Sequence, residues 1–314
     1  MNSLLGGIFL GWSLGANDAA NVFGTAVSSR MLKFWTAAMI AAIFVLLGAL
    51  VEGQSGIETL QNLTPFTSDQ AIVASVAAAV TVTLMTLLGL PVSTSQAVVG
   101  AILGIGLLNR QLNFTELGKV VVCWLGTPVG GIVLGIIVYK VLAAIGNSMN
   151  LNIFQSDMLL KLCLILAGSY GAYALGANNV ANVTAVFVGA GMLSLSAATL
   201  IGGLSIGLGV LTFSKGVMET VGKKLVRLDP FSALVVVLAE AITVHIYALI
   251  GVPVSTSQAV IGAVLGVGIV KGVNTIRRRT LVNIFLAWFI TPFVAFTLAL
   301  FLDFAIHLRY IPGQ

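Results

Sequence analysis

Charge is what this sequence has least of. Only 8% of its 314 residues are Asp, Glu, Lys or Arg, against about 25% in an ordinary soluble domain. Hydrophobic residues make up 58%, and the mean hydropathy is +1.08. A chain this poor in charge cannot cover itself with a water-facing surface, so lipid must be its solvent. Cysteine is nearly as scarce. Cys123 and Cys163 lie in apolar runs with no CxxC or paired spacing. That excludes a disulfide framework or a thiolate metal site and leaves small core or lipid-facing residues. Met1-Asn2-Ser3 lacks the basic stretch that opens a signal peptide, so the first apolar run is expected to remain as a membrane segment. No nucleophile–base pair or metal cluster is visible, which argues against an enzyme. Gly203-Leu-Ser-Ile-Gly207 matches GxSxG, but Ser205 sits in an apolar helical run and not in a strand-turn-helix. The net charge of +5 implies no nucleic-acid partner, because the basic residues lie in loops between apolar runs.

What is present is a series of apolar segments. Runs of about 20 apolar residues fall near 4–28, 34–51, 70–90, 92–108, 117–141, 158–189, 191–212, 231–251, 254–270 and 280–304. With the N-terminus outside, twelve of the fifteen Lys and Arg residues fall inside, and Arg110, Lys119 and Arg309 fall outside. The opposite orientation inverts that ratio, so the excess of cytoplasmic basic residues favours N-out. Residues 52–69, with Glu52, Glu58 and Asp69, then form an outside loop. No Lys or Arg remains within a span. Asp18 and Glu240 do, with His245 as the other titratable group at depth.

The chain also repeats itself. Pro91 to Gly106 matches residues 253–268 at thirteen of sixteen positions, and the remaining three exchange Val and Ile. Gly15-Ala-Asn-Asp-Ala-Ala-Asn-Val22 matches residues 176–183 at six of eight. Trp124 and Thr127-Pro128 match Trp288 and Thr291-Pro292. The offsets of 161, 162 and 164 divide the chain into repeats at 1–150 and 151–314. In the charge-derived topology the first half starts outside and the second inside. The predicted fold is therefore an all-α polytopic membrane protein, with two inverted repeats whose broken or re-entrant helices meet near the midplane. Many secondary transporters follow that plan.

Each Pro-Val-Ser-Thr-Ser-Gln copy predicts a helix start within an apolar stretch. Pro91 and Pro253 interrupt the incoming helix, and Ser93 and Ser255 suit the N-cap of the outgoing one. Free N–H groups and the positive end of the dipole make such a terminus an anion site. Hydroxyls of Ser93, Thr94, Ser95, Ser255, Thr256 and Ser257 add donors. Two such sets converging from opposite sides suit a tetrahedral oxyanion. A re-entrant hairpin is favoured over two full spans at 70–108 and 231–270, because it carries the hydroxyls to depth. Gly100 and Gly104, with Gly262 and Gly266, read as close helix packing.

Asp18 lies well inside the first segment, where a carboxylate is expensive and marks function by default. Asn17 and Asn21 supply amide oxygens, and Gly15 and Gly24 are expected to allow unwinding that frees backbone carbonyls. That ligand set suits a hard cation such as Na+. The second copy offers Asn178, Asn179 and Asn182, with Asn179 in place of the acid. An anion here has no Lys or Arg partner, and a helix dipole supplies only about half a charge. A cation must enter with it, so symport is the expected mechanism. Glu240 is open between a cation or proton site and a packed hydrogen bond. His245 reads as a core or boundary residue. Thr127 and Thr291 serve either the site or the backbone at a kink.

The paired GANDxAN-type and PVSTSQ-type motifs, in order across nearly the whole chain, resemble the inorganic phosphate transporter (PiT) family. The resemblance implies phosphate import coupled to Na+ or H+, an inverted-repeat fold, a multi-pass protein of the cell (inner) membrane and a homodimer. No resident cofactor is implied beyond transported phosphate and Na+. It places phosphate at the Ser93–Gln96 and Ser255–Gln258 turns with Asn21 and Asn182. It places Na+ at Asp18, Asn17, Asn178 and Asn179, with Gln96 and Gln258. Three features depart from the family pattern: Asn179 stands where an Asp is usual, Val45 where animal relatives carry Glu, and the long loop between the halves is nearly absent. Some similar proteins carry sulfate, so a sulfate permease is the alternative. An anion channel is disfavoured by the absence of a basic pore lining.

Overall fold

The computed structural model describes residues 2–28, 30–87, 92–224, 228–272 and 278–309. Among these, all regular structure is helical. After a 3-10 turn at Asn2–Leu4, the first half runs through α1 (Leu5–Ser28), α2 (Phe34–Glu52), α3 (Gln54–Gln61), α4 (Ser68–Leu87), α5 (Thr94–Asn109) and α6 (Phe114–Ser148). The second half runs through α7 (Ile153–Gly189), α8 (Leu195–Lys224), α9 (Pro230–Ile250), α10 (Thr256–Lys271) and α11 (Arg278–Arg309). Seven of these, α2, α4, α6, α7, α8, α9 and α11, are long and apolar enough to cross a membrane.

Helices α5 and α10 have 16 residues each, about 24 Å at about 1.5 Å per residue. That falls short of the about 30 Å hydrocarbon core. Ser93 and Ser255 cap them as expected, accepting from the Gln96 and Gln258 amides. Pro253 lies in the extended stretch between α9 and α10. The corresponding break assigned to Pro91 lies outside the described residues.

Two expectations change, and one alternative left open is decided. Residues 52–69 are not an open loop, because α3 forms there and buries Gly56, Ile57, Thr59 and Leu60. Helix α1 is continuous through Gly15 and Gly24. Both glycines serve packing: Gly15 faces the Ile206 backbone on α8, and Gly24 faces Met218. Thr127 and Thr291 do not face the site. Each donates to the carbonyl four residues back, Cys123 at 2.7 Å and Ala287 at 2.6 Å. These bonds sit beside Pro128 and Pro292, each of which removes a helical donor.

The halves interlock reciprocally. Helix α1 packs on α8 and α7 on α2, while α5 packs on α11 and α10 on α6. The glycines follow the same exchange. Gly15 meets Ile206 and Gly176 meets Val45; Gly209 meets Trp12 and Gly48 meets Tyr173. Gly100 lies on Pro292 and Gly262 on Pro128, as the close-packing reading of these glycines requires. Each contact is backbone against Cα, and small residues at such positions let helices approach without a hydrophobic drive from the lipid.

The outer ends of the two helical hairpins are tied differently. In the first, Gln70 donates to Asn109 at 2.8 Å. In the second, Lys271 donates to Asp229, which also caps α9 through the Ser232 amide at 2.9 Å. Burial raises the Asp229 carboxyl, but the bonds from Lys271 and Ser232 outweigh it and hold the group at about 2, below the ordinary 3.8. A depressed carboxyl contributes stability above its unfolded value and loses it as pH falls through the folded one.

Two outcomes are expected. Gly48→Val places a side chain on the Tyr173 backbone and should lower stability in detergent by about 1–3 kcal/mol. Gly118→Val, with nothing within 4 Å, should stay within about 0.5 kcal/mol; thermal unfolding of the two variants compares them. Lys271→Met should weaken hydrogen-exchange protection at the start of α9 near neutral pH. That difference from the parent should vanish as pH falls from 3.8 to about 2.

Candidate functional site

The two serine-rich turns meet, and they are cross-linked. Ser95 Oγ donates to the Val254 carbonyl at 3.0 Å, and Ser257 Oγ donates to the Val92 carbonyl at 3.3 Å. Each turn thus hydrogen-bonds the extended residue that enters the other. Ser255 Oγ and Ser257 Oγ lie 2.9 Å apart. Trp124 Nε1 donates to the Pro253 carbonyl at 3.3 Å and fixes the second turn from α6.

Helix α7 brings up the second asparagine motif. Asn178 reads the backbone of Val254 in both directions, donating to its carbonyl at 2.8 Å and accepting from its amide at 2.9 Å. Asn182 donates to Ser95 Oγ at 3.0 Å and to Asn179 Oδ1 at 2.8 Å. Asn178 also donates to Asn179 Oδ1 at 3.2 Å. Helix α1 supplies the first motif. Asn21 donates to Thr256 Oγ1 at 3.3 Å, Asn17 to Asp18 Oδ1 at 3.0 Å, and Asn179 to Asp18 Oδ2 at 3.5 Å. The Thr256 hydroxyl also lies against the Asp18 carboxylate.

The structure therefore gathers all the residues singled out from the two motif pairs into one buried cluster. Only Asn17, Asn21 and Ser257 are partly open. Glu240, from α9, is 1% exposed and within electrostatic reach of Asp18. Thr94 Oγ1, Gln96 Oε1, Asn182 Oδ1, Gln258 Oε1 and Glu240 Oε2 are buried without a hydrogen-bond partner. A buried polar atom left unpaired costs about 1–3 kcal/mol, so these five mark acceptors and a hydroxyl that the protein itself leaves unsatisfied. Four are amide or carboxyl oxygens, which accept; they suit a cation or the hydroxyl of an acidic anion. The donor side comprises the N-terminal amides of α5 and α10 with the Ser93 and Thr94 hydroxyls, since Ser95 and Ser257 donate to the Val254 and Val92 carbonyls. Among the described residues neither ion pair, Glu52–His245 nor Asp229–Lys271, lies in this cluster, so no Lys or Arg balances its carboxyls. The motif residues pointed to all of this except the backbone acceptors at Val92 and Val254, for which side-chain identity carries no signal.

Comparison with known proteins bears on the family and the fold. A sequence model described as the phosphate transporter family matches residues 14–299. A protein named as a phosphate permease in Methanocaldococcus jannaschii is 28% identical over 287 residues, 91% of each chain. The sulfate permease CysP of Bacillus subtilis is 29% identical over 303 residues, 95% of this chain and 85% of its own. A solved structure of a protein named the sodium-dependent phosphate transporter covers 98% of this chain and 100% of its own, with a TM-score of 0.85 and 23% identity. That likeness establishes the fold.

Asn178→Ala would strip both bonds from the Val254 backbone and leave its buried amide and carbonyl unpaired. Measured by substrate titration, affinity is expected to fall by about 1–3 kcal/mol, roughly 5- to 150-fold. An affinity equal to that of the parent would mean that this contact does not hold the turn.

Proposed function

The chain belongs to the phosphate transporter family, and from that premise we propose that it is a symporter importing inorganic phosphate together with Na+. The observation that carries this reading is the meeting of two hydroxyl-lined helix starts beside Asp18 with no basic residue among them. The anion is held by the amides of α5 and α10 and by Ser93, Thr94, Ser95, Ser255, Thr256 and Ser257, with Asn21 and Asn182 at the sides. The dipoles give roughly half a charge each, too little for a phosphate beside a carboxylate in low dielectric. A Na+ at Asp18, ligated by oxygens of Asn17, Asn178, Asn179, Gln96 and Gln258, supplies the missing charge. Neither substrate then enters this site cheaply alone, which is the physical content of coupling.

In this reading the halves are inverted in a cell membrane, with the N-terminus outside, and the protein works as a homodimer. Alternating access then moves the two interlocked halves about a fixed site. A second reading, sulfate transport, is favoured by the similarity to CysP. The unpartnered acceptor oxygens favour phosphate, which keeps a P–OH proton near neutral pH that sulfate lacks. Glu240 Oε2, buried and without a hydrogen-bond partner, is the acceptor this reading assigns to that proton.

Purified protein in liposomes, given radioactive phosphate and an inward Na+ gradient, should accumulate it. Asp18→Asn should reduce that accumulation roughly 10- to 100-fold, as expected for removal of a charged ligand worth about 1.5–3 kcal/mol. Sulfate taken up in place of phosphate would overturn the substrate, and undiminished accumulation by Asp18→Asn would overturn the cation site.

A further inference from the structure

A second titratable cluster lies apart from the anion site, where three helices meet. His245 on α9 bonds through both ring nitrogens. Nε2 lies 2.7 Å from Glu52 Oε2 at the end of α2, and Nδ1 lies 2.7 Å from the Tyr170 hydroxyl on α7. Tyr173, also on α7, sets its ring edge-on to the imidazole, 5.7 Å between centroids, and turns towards Glu52. The His245 and Glu52 side chains are 19% and 27% exposed.

The repeat shows that the fold does not require this cluster. At the offsets of 161 and 162, Tyr170, Tyr173, Glu52 and His245 correspond to Phe9, Trp12, Phe213 and Thr83. There the same niche is filled by stacked aromatics, Phe9 on Trp12 at 5.9 Å and Trp12 on Phe213 at 5.1 Å. Thr83 bonds its own helix at Ala79 and lies 3.5 Å from the Ser13 hydroxyl on α1, both uncharged contacts. One half thus packs this position with apolar rings, and the other places a carboxylate, an imidazole and a phenol in it. A carboxylate at the end of a membrane helix that is only 27% exposed is costly unless compensated. Among the described residues the sole group in ion-pair reach of Glu52 is His245. The remaining groups around it contribute no positive charge. They are Tyr170 and Tyr173 from α7; Glu240 of α9 and Asp18 of α1 belong to the anion-site cluster, and Tyr247 of α9 faces Cys123. From α6, Cys123 interacts with Tyr247 and Lys119, Glu58 of α3 is turned outward, and Lys271 of α10 is engaged with Asp229.

We propose that Glu52, His245 and Tyr170 form a proton-binding site that couples an inward proton to transport, separate from the cation at Asp18. With His245 neutral, Tyr170 O–H donates to Nδ1, Nε2–H donates to Glu52, and the cluster carries one negative charge. Taking up a proton at Nδ1 makes both ring nitrogens donors. The Tyr170 hydroxyl then turns to accept, and the imidazolium neutralises Glu52. The proton is taken from one aqueous side and released to the other. The site is linked to the anion turn by short connections. Glu52 is the last residue of α2, followed by Gly53 and α3. Gly56 of α3 lies against Pro253, and Ser55 lies against Gly251, at the entry to the second turn. A change in the tie between α2 and α9 therefore acts on the backbone that carries Val254 and Ser255.

This inference rests on the transport reading, and its test separates the two. Liposomes with equal Na+ on both sides and the voltage clamped are given an inward proton gradient, and phosphate accumulation is compared with phosphate exchange at equal concentrations. The parent protein should accumulate phosphate. Glu52→Gln and His245→Gln, which keep hydrogen-bonding side chains, should lose accumulation at least about tenfold while retaining exchange, the signature of lost coupling. Tyr170→Phe should keep accumulation and shift its pH profile. Three outcomes overturn the proposal: accumulation by both Gln variants at the parent level, exchange lost in step with accumulation, or a parent that responds to Na+ gradients alone. Uptake of sulfate and not phosphate would overturn the substrate reading, and the same arms run with sulfate would then decide the proton site.

Discussion

Everything in this molecule depends on keeping two helix starts buried and in contact without a fixed positive charge. A helix N-terminus in low dielectric carries orphan amides and a partial positive charge, and it must be stabilised by something. Here the serine caps satisfy one amide each, and the Ser95–Val254 and Ser257–Val92 bonds lash the turns together. The remaining donors stay available for an anion. An arginine in their place would bind the anion more tightly and release it less readily. In the transport reading proposed above, a site built from dipoles and a neighbouring carboxylate depends on a mobile cation, and the grip on the anion is switched by that cation's arrival and departure.

Holding the turns to hydrogen-bond distance requires the supporting helices to approach closely, and the glycines meet that requirement. Gly100 on Pro292 and Gly262 on Pro128 seat α5 and α10 on the two proline-bearing helices. Gly15, Gly48, Gly176 and Gly209 do the same for the helices that carry the asparagine motifs. Because each contact joins one half to the other, neither half can form its part of the site alone. The interlock explains why the glycines at these contacts recur in both halves.

Much of this was legible in the sequence. The apolar runs located α1, α2, α4 to α7 and α9 to α11 to within several residues, because about 20 apolar residues leave few alternatives in lipid, while α8 continues to Lys224, well past the expected end at 212. The serine caps and the convergence of the asparagine motifs followed from identity repeated at constant offset. Helix α3 was not legible: eight residues that include Gln54, Ser55, Glu58 and Gln61 show too short an apolar face, and only contact with α7 makes them helical. Gly15 was misread because glycine signals both unwinding and close approach, and only the partner backbone distinguishes them. The Glu52–His245 pair joins residues 193 positions apart on different helices, and no local pattern predicts such a pairing.

The differences between the halves are more informative than their likeness. Asp18 stands opposite Asn179, Glu52 opposite Phe213, and Lys271 opposite Asn109. A perfectly symmetric pair of halves would make the two faces of the protein equivalent and leave the direction of coupling to the gradients alone. Placing the buried acid on α1, the imidazole on α9 and the charged clasp at Asp229 gives each half a different response to cations, protons and salt. The packing residues preserve the shared scaffold, and the few charged substitutions make the two ends of the cycle chemically distinct. They do so at positions where the counterpart shows that an uncharged residue would have packed as well, and that makes function, and not folding, the reason for their presence.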